Sequence, residues 1–366
     1  MSPPFSGSYA PDEVQFLLTP MRFADTPVAE KEALIQSGQK HYAEMLTHEQ
    51  LPSAAYEALF LRALSQNRQR MAQHLWLLAQ QIVATRPQGI TLVSLARAGT
   101  PVGVLLKHIL AAYYQRPVAH YSVSIFRDLG LDLHALRYIL QRHPAETLVW
   151  IDGWTGKGVI ARQLAASLQA FAETDALTIA PELYVLTDLC GSASVSASTQ
   201  DYLIPSSVLN ATVSGLVSRS IYAQNHQHAA AFHGCIYYEN FAPRDWSRYF
   251  VTEMLHSVAQ IQQQEGLNKL RIPTILERRQ LQAQAQHFLA WVSERYAMTK
   301  VNSIKLGVGE STRALLRREA QRLLLQNAHA DAVQHLIWLA SAKAIPVEVV
   351  SDMPYAASVL IKELAL

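Results

Sequence analysis

The sequence predicts an α/β protein, a parallel sheet with helices on both faces followed by a smaller α/β/α unit. Three observations predict it. Short apolar runs alternate with helical patterns between residues 90 and 187, the spacing of right-handed crossovers in a parallel sheet. Residues 201–250 then change texture, rich in Ser, Tyr and Asn, and a polar helical stretch follows to about Tyr296. Past residue 300 a second strand–helix rhythm begins. The chain has 366 residues, 50% hydrophobic and 16% charged, too apolar for disorder and long enough for about two cores. The expected organisation is a first domain at 1–270 with an N-terminal extension, a helical linker at 271–298 and a second domain at 299–366.

Composition excludes several classes. Net charge is +2, so any RNA or phosphate site must be local rather than a global basic field. Two cysteines, Cys190 and Cys235, cannot build a disulfide framework, and no Cys/His cluster has zinc spacing. The residues from Met1 to Phe5 lack the basic and apolar regions of a signal peptide, and no apolar run approaches the roughly 18 residues of a membrane span. The expectation is a soluble cytoplasmic protein.

The elements follow in order. The first 27 residues are turn-rich, with Pro3, Pro4, Gly7, Pro11, Pro20 and Pro27. Apolar Leu59, Ala63, Met71, Leu75 and Leu78 mark one face of a long helix over 52–85. Ile90–Leu95 reads as a strand, and Ala96-Arg97-Ala98-Gly99-Thr100 as a small-residue loop. Pro101, in the first turn, opens a helix to about Tyr114. Val118–Ile125 is the next strand, Phe126–Asp132 its loop and Leu133–Arg142 its helix. Thr147–Ile151, Asp152–Lys157 and Gly158–Phe171 repeat strand, loop and helix, and Leu183–Thr187 is a fourth strand. In the tail, a loop at Lys305–Ser311 leads to a helix. Leu323–Leu325 and Val347–Val350 read as strands, with helices at Asp331–Ala344 and Ala356–Leu364. Loops 96–100, 126–132 and 152–157 should share the carboxyl edge of the sheet, where ligands bind in such folds.

The third loop carries chemistry. Strand, acid, glycine-rich turn and helix succeed one another from Thr147 to Gly158. Glycines admit an anion to the backbone, a helix start offers free N–H groups, and Lys157 adds a charge. Asp152 could accept from vicinal hydroxyls or hold a hydrated magnesium ion. A nucleotide P-loop is rejected, because Ile151 occupies its first glycine position and Gly158 its hydroxyl position. The bland reading is a structural turn. Ser206, Asn210, Ser214, Ser218 and Arg219 recur at near-helical steps and suit an acceptor-binding face, with capping by Ser206 and close packing of small residues as the alternative.

The order of the three loops resembles that of the type I phosphoribosyltransferases. The resemblance implies that Arg97, Ala98, Gly99 and Thr100 hold diphosphate and that Asp152 holds the ribose with Mg2+. It further implies that Gly153, Thr155, Gly156, Lys157 and Gly158 grip the 5-phosphate, and that Arg127 and Asp128 close over the site. Gly153 stands where a second acid is usual. A closer similarity, spanning nearly the whole chain, is to a bacterial family named StiP, which carries a cysteine-protease label and is associated with tellurite resistance and stress. It rests on Gly7-Ser-Tyr-Ala-Pro-Asp-Glu-Val14, Glu30–Ile35, Ala96–Pro101, Ile151–Gly158, Ile204–Ala211 and Leu216–Arg219. That resemblance implies a phosphoribosyltransferase-like fold joined to a Pelota-type RNA-binding module. The activity it implies is transfer or cleavage of a phosphoribosyl group on a nucleotide-like metabolite or RNA. A non-catalytic ribose-phosphate or RNA-binding module is the alternative. Cysteine proteolysis is the further one: His233 lies two residues from Cys235, but no protease signature surrounds either cysteine.

Lys305-Leu-Gly-Val-Gly-Glu-Ser-Thr-Arg313 resembles the RNA-binding loop and helix of Pelota and the kink-turn-binding ribosomal proteins. Lys305, Gly307, Glu310, Thr312 and Arg313 fit the motif, and Gly309 replaces its asparagine. The resemblance implies RNA contact by these residues and by Arg317, in the basic run that continues through Arg318 and Arg322. A solvated helical face is the bland reading of that run.

Overall fold

The computed structural model describes residues 3–222, 231–262 and 271–363. Strands β1 (Gln15–Leu17) and β2 (Thr19–Pro20) precede helices α1 (Val28–Gln36) and α2 (Ala54–Thr85). The crossover region runs β3 (Ile90–Leu95), α3 (Gly99–Tyr114), β4 (Val118–Val123), the hairpin β5 (Ile125–Phe126) and β6 (Gly130–Leu131), then α4 (Leu133–Leu140). It continues with β7 (Leu148–Thr155), α5 (Val159–Asp175), β8 (Leu183–Asp188) and β9 (Val195–Ser198). After β10 (Gly234–Cys235), α6 (Ser247–Gln262) and α7 (Ile275–Arg295) comes the tail. Its elements are β11 (Ile304–Leu306), α8 (Gly307–Arg317), β12 (Ala320–Leu325), α9 (Gln334–Ser341), β13 (Val347–Val349) and β14 (Ala357–Ile361).

Six strands form one sheet in the order β1-β4-β3-β7-β8-β9, and every neighbouring pair is parallel. Its central strands read as unbroken apolar runs because both faces are covered. Ile90 and Leu92 of β3 join the core with α2, α3 and α6, whereas Val93 and Leu95 join the core with α4 and α5. Each such side chain contributes about 1.5–3 kcal/mol. Parallel pairing sets the ends of β3, β4 and β7, and the loops that follow them, on one edge, as expected. Gly99, which opens α3, is fixed by proximity: a Cβ there would lie 2.3 Å from the carbonyl oxygen of Ile151.

The tail forms a second sheet in the order β11-β14-β12-β13, mixed in direction. Helices α8 and α9 cover one face, where Val308, Leu315, Leu323, Leu336 and Val359 pack. Phe288 and Val292 of α7 cover the other, against Ile304, Leu324 and Leu360. The first of these cores is continuous with that of the large sheet, so the two sheets share buried apolar surface.

Several expectations are corrected. The expected last helix from Ala356 is the strand β14, central in its sheet and buried at all five residues. An apolar run covered on both faces has no period to separate strand from helix. The expected loop at Lys305–Ser311 is instead the end of β11 and the start of α8. Strand β7 runs on to Thr155, through four of the six residues of its expected loop. The turn-rich N-terminus supplies an edge strand, β1, and β9 is a further strand that no apolar run announced. Residues 263–270 of the expected polar helical stretch, the boundary at 270, and position 364 of the expected last helix lie outside the described residues.

Candidate functional site

The loop after β3 contains a cis peptide bond between Ala96 and Arg97. Arg97 points across the sheet edge and is fully engaged. Its guanidinium donates to the Glu49 carboxylate at 2.5 Å, to the Asn210 side-chain oxygen at 2.8 Å and to the Val217 carbonyl at 3.2 Å. The second Glu49 oxygen accepts from the Ala211 N–H. Ala98 abuts the β7 end, where a Cβ on Gly153 would sit 3.1 Å from the Ala98 carbonyl oxygen. The Thr100 hydroxyl is buried on that of Ser122 at 2.8 Å. This loop is therefore a packed junction rather than an open anion nest.

At the end of β7, Asp152 accepts from the N–H of Gly153 at 2.7 Å. Burial, outweighing that bond, pushes its carboxyl up to about 7. The Trp154 indole donates to the Glu310 carboxylate at 3.1 Å, and the Arg313 guanidinium lies 5.2 Å over the Trp154 ring. Thr155 is bonded to the Ser192 hydroxyl, and Gly156 faces Glu310, whose Cγ would be 3.9 Å from a Cβ there. Lys157 donates to the carbonyls of Val301 at 2.5 Å and Ile304 at 2.7 Å. Its pKa falls to about 7, first through burial and then through the nearby Lys305. Gly158 is the left-handed cap before α5. The tail thus covers the loop that was expected to grip a phosphate. Among the described residues no three His, Cys, Asp or Glu converge as metal ligands.

The expected closing loop is the β5–β6 hairpin. The Arg127 N–H donates to the Tyr42 hydroxyl, its guanidinium lies 5.2 Å over the Tyr42 ring, and it pairs with the exposed Asp128 at 3.2 Å. The acceptor face at 206–219 is also corrected. Instead of one helix there are two single 3₁₀ turns, Pro205–Ser207 and Ala211–Val213. Ser206 is buried, Asn210 serves Arg97, Ser214 donates to the Asn210 carbonyl and Ser218 to the Arg219 carbonyl. Arg219 donates to the carbonyls of Tyr42 and Met45. Pro205 and the left-handed Leu216 end any helical register.

In the tail, Gly307 opens α8 at φ +82°, wedged where a Cβ would strike Leu189. Asp201, which sequence reasoning missed, accepts the N–H groups of Val308 at 2.7 Å and Ala356 at 2.9 Å. Burial raises its carboxyl to about 6 against those bonds. Thr312 is buried, bonded to the Val308 carbonyl and to His335, and cannot face RNA. Burial would raise Glu310, but Arg313, Lys305 and the Trp154 bond outweigh it and hold its carboxyl below the usual range. Lys305 is depressed chiefly by burial. Arg317 is driven down to about 9, first by burial and then by Arg313 and Arg97. A Cβ on Gly309 would meet only open space. Cations from both units therefore lie close enough to act on one another, beside a small cleft lined by Trp154, Asp201, Tyr202, Leu306 and Glu310.

Both thiols are buried. Burial pushes Cys235 up to about 12 and Cys190 up to about 11, the latter 3.6 Å from the Tyr355 hydroxyl. His233 has an oriented ring: Nδ1 lies 2.9 Å from the Ser124 hydroxyl and 4.0 Å from the buried Asp132 carboxylate. Asp132 also accepts the His233 N–H and caps α4.

Two family models match. Residues 7–255 match one described as a tellurite-like stress resistance cysteine protease, StiP, and residues 283–363 match a Pelota RNA-binding domain. A protein of Acinetobacter baylyi described as cysteine protease StiP is 38% identical over 370 residues, 98% of this chain and 95% of the relative. These matches overturn the phosphoribosyl-transfer expectation, for the family and the relative are both described as cysteine proteases. The geometry offers no relief, since Arg97, Thr155 and Lys157 are bonded within the protein. No helix among the described residues is long and apolar enough to cross a membrane. By its match over 7–255 and its near full-length likeness to the Acinetobacter protein, the chain belongs to the StiP family.

Proposed function

We propose that the chain recognises RNA through its C-terminal unit, within the stress resistance for which its family is described. The match of residues 283–363 to an RNA-binding domain carries the reading. The crowding of Lys305, Arg313 and Arg317 around α8 supports it, because an arginine depressed by burial and by neighbouring arginines gains most from a phosphate. Fluorescence anisotropy of the full chain with single-stranded and hairpin RNA tests it. Affinity should fall at least tenfold between 50 and 200 mM salt, as expected when several phosphates are contacted. Absence of binding at 50 mM salt defeats the reading.

A second reading, thiol proteolysis, is favoured by the descriptions of the family and the relative. The ring of His233, held by Ser124 and Asp132, stands two residues from Cys235. A nucleophilic thiolate needs such a base, and a thiol at about 12 must first be uncovered to meet it. Peptide hydrolysis should be lost in Cys235→Ala and kept in Cys190→Ala; hydrolysis undiminished in Cys235→Ala sinks this reading.

A further inference from the structure

We infer that the two units jointly form a groove for the phosphodiester backbone of RNA, distinct from the α8 loop face. The inference rests on the RNA reading above and names a surface for it. The groove lies between the β5–β6 hairpin, α5 and the segment before β11, and its polar lining is Arg127, Asp128, Arg162, Gln163, Lys300 and Asn302. Arg162 and Lys300 are exposed. Arg162 reaches the Lys157 carbonyl at 3.0 Å. Beneath it Lys157 ties the two units together through the Val301 and Ile304 carbonyls. The Arg127 charge is close enough to act on both Lys157 and Lys305.

The acids beside this surface are already engaged. Asp128 pairs with Arg127 and lies 3.9 Å from the His41 ring, and Glu363 accepts the N–H groups of Thr299 and Lys300. Arg127 is thus paired with Asp128, whereas Arg162 and Lys300 form no ion pair with an acid among the described residues. The groove lies open to solvent, whereas a small-metabolite pocket encloses most of its ligand. Among the described residues no aromatic side chain lines it, so bases find no stacking platform there and the contact is to backbone, insensitive to sequence.

The test is fluorescence anisotropy of the full chain with a labelled single-stranded uridine oligonucleotide. The double variant Arg162→Glu, Lys300→Glu should bind at least tenfold more weakly at 100 mM salt. Its plot of log affinity against log salt should be shallower by about 1.4, two lost phosphate contacts at about 0.7 each. Arg279→Glu, an exposed cation on α7 outside the groove, should leave both unchanged. Wild-type affinity and slope in the double variant overturn the groove but spare the RNA reading. Loss of all RNA binding in the unaltered chain overturns both. Displacement of the RNA by polyglutamate at matched charge would make the surface a site for acidic proteins, and so overturn the assignment.

Discussion

Removing the Asp201 carboxylate should release the tail from the large sheet. Asp201→Ala leaves the N–H groups of Val308 and Ala356 without their acceptor. An orphaned part-buried donor costs about 1–3 kcal/mol. Losing a negative charge beside the first turn of α8 adds about 0.3–1 kcal/mol. Taken at the low end for both donors, a total of about 3 kcal/mol multiplies local opening by roughly a hundred, since about 1.4 kcal/mol is tenfold. Hydrogen exchange followed by mass spectrometry reads this directly. Amides at 307–317 and 356–361 should exchange roughly a hundredfold faster, while those of β3 and β7 keep their rates. The variant should also change the response to pH. A carboxyl raised to about 6 holds a proton that the unfolded chain has already released near 4, so wild-type stability falls as pH rises through 4–6. That component should vanish in the variant. Unchanged exchange at 307–317, or an equal increase throughout the large sheet, would refute the reasoning.

Three other outcomes are expected. Arg97→Ala strands a part-buried Glu49 and should lower stability by about 3–5 kcal/mol in denaturant titration; a loss below about 1 kcal/mol contradicts the packed junction. Gly99→Ala drives a methyl against the Ile151 backbone and should cost at least about 1–3 kcal/mol, and an unaltered melting temperature argues against that close approach. Disulfide-reagent labelling of the native chain should leave both buried thiols unmodified, with both reacting after denaturation; rapid native labelling of Cys235 would mean the segment opens readily.

The large sheet was legible because β3, β4, β7 and β8 are apolar runs parted by helices, a pattern imposed by burial on both faces. What escaped was pairing without local signal. β1 is three residues long in a proline-rich stretch, and β14 shares its apolar run with any buried helix. Similarly, glycines, an acid and a lysine at 152–158 announce a tight turn at a sheet edge. Nothing in that spelling says whether an anion or another part of the chain fills it. The partners that decide the matter, Glu49 for Arg97 and Glu310 for Trp154, lie 48 and 156 residues away. Asp201 sits in no motif at all, and only the folded tail reveals its role.

The contact between Trp154 and the Glu310–Arg313 pair has a consequence for anything that seeks those side chains. Because the tail is covalently attached to its docking surface, that surface acts as a built-in antagonist at an effective concentration that can reach millimolar. A ligand for the α8 face would then bind the full chain more weakly than a chain whose indole has been removed, by the factor that measures how completely the cleft is closed.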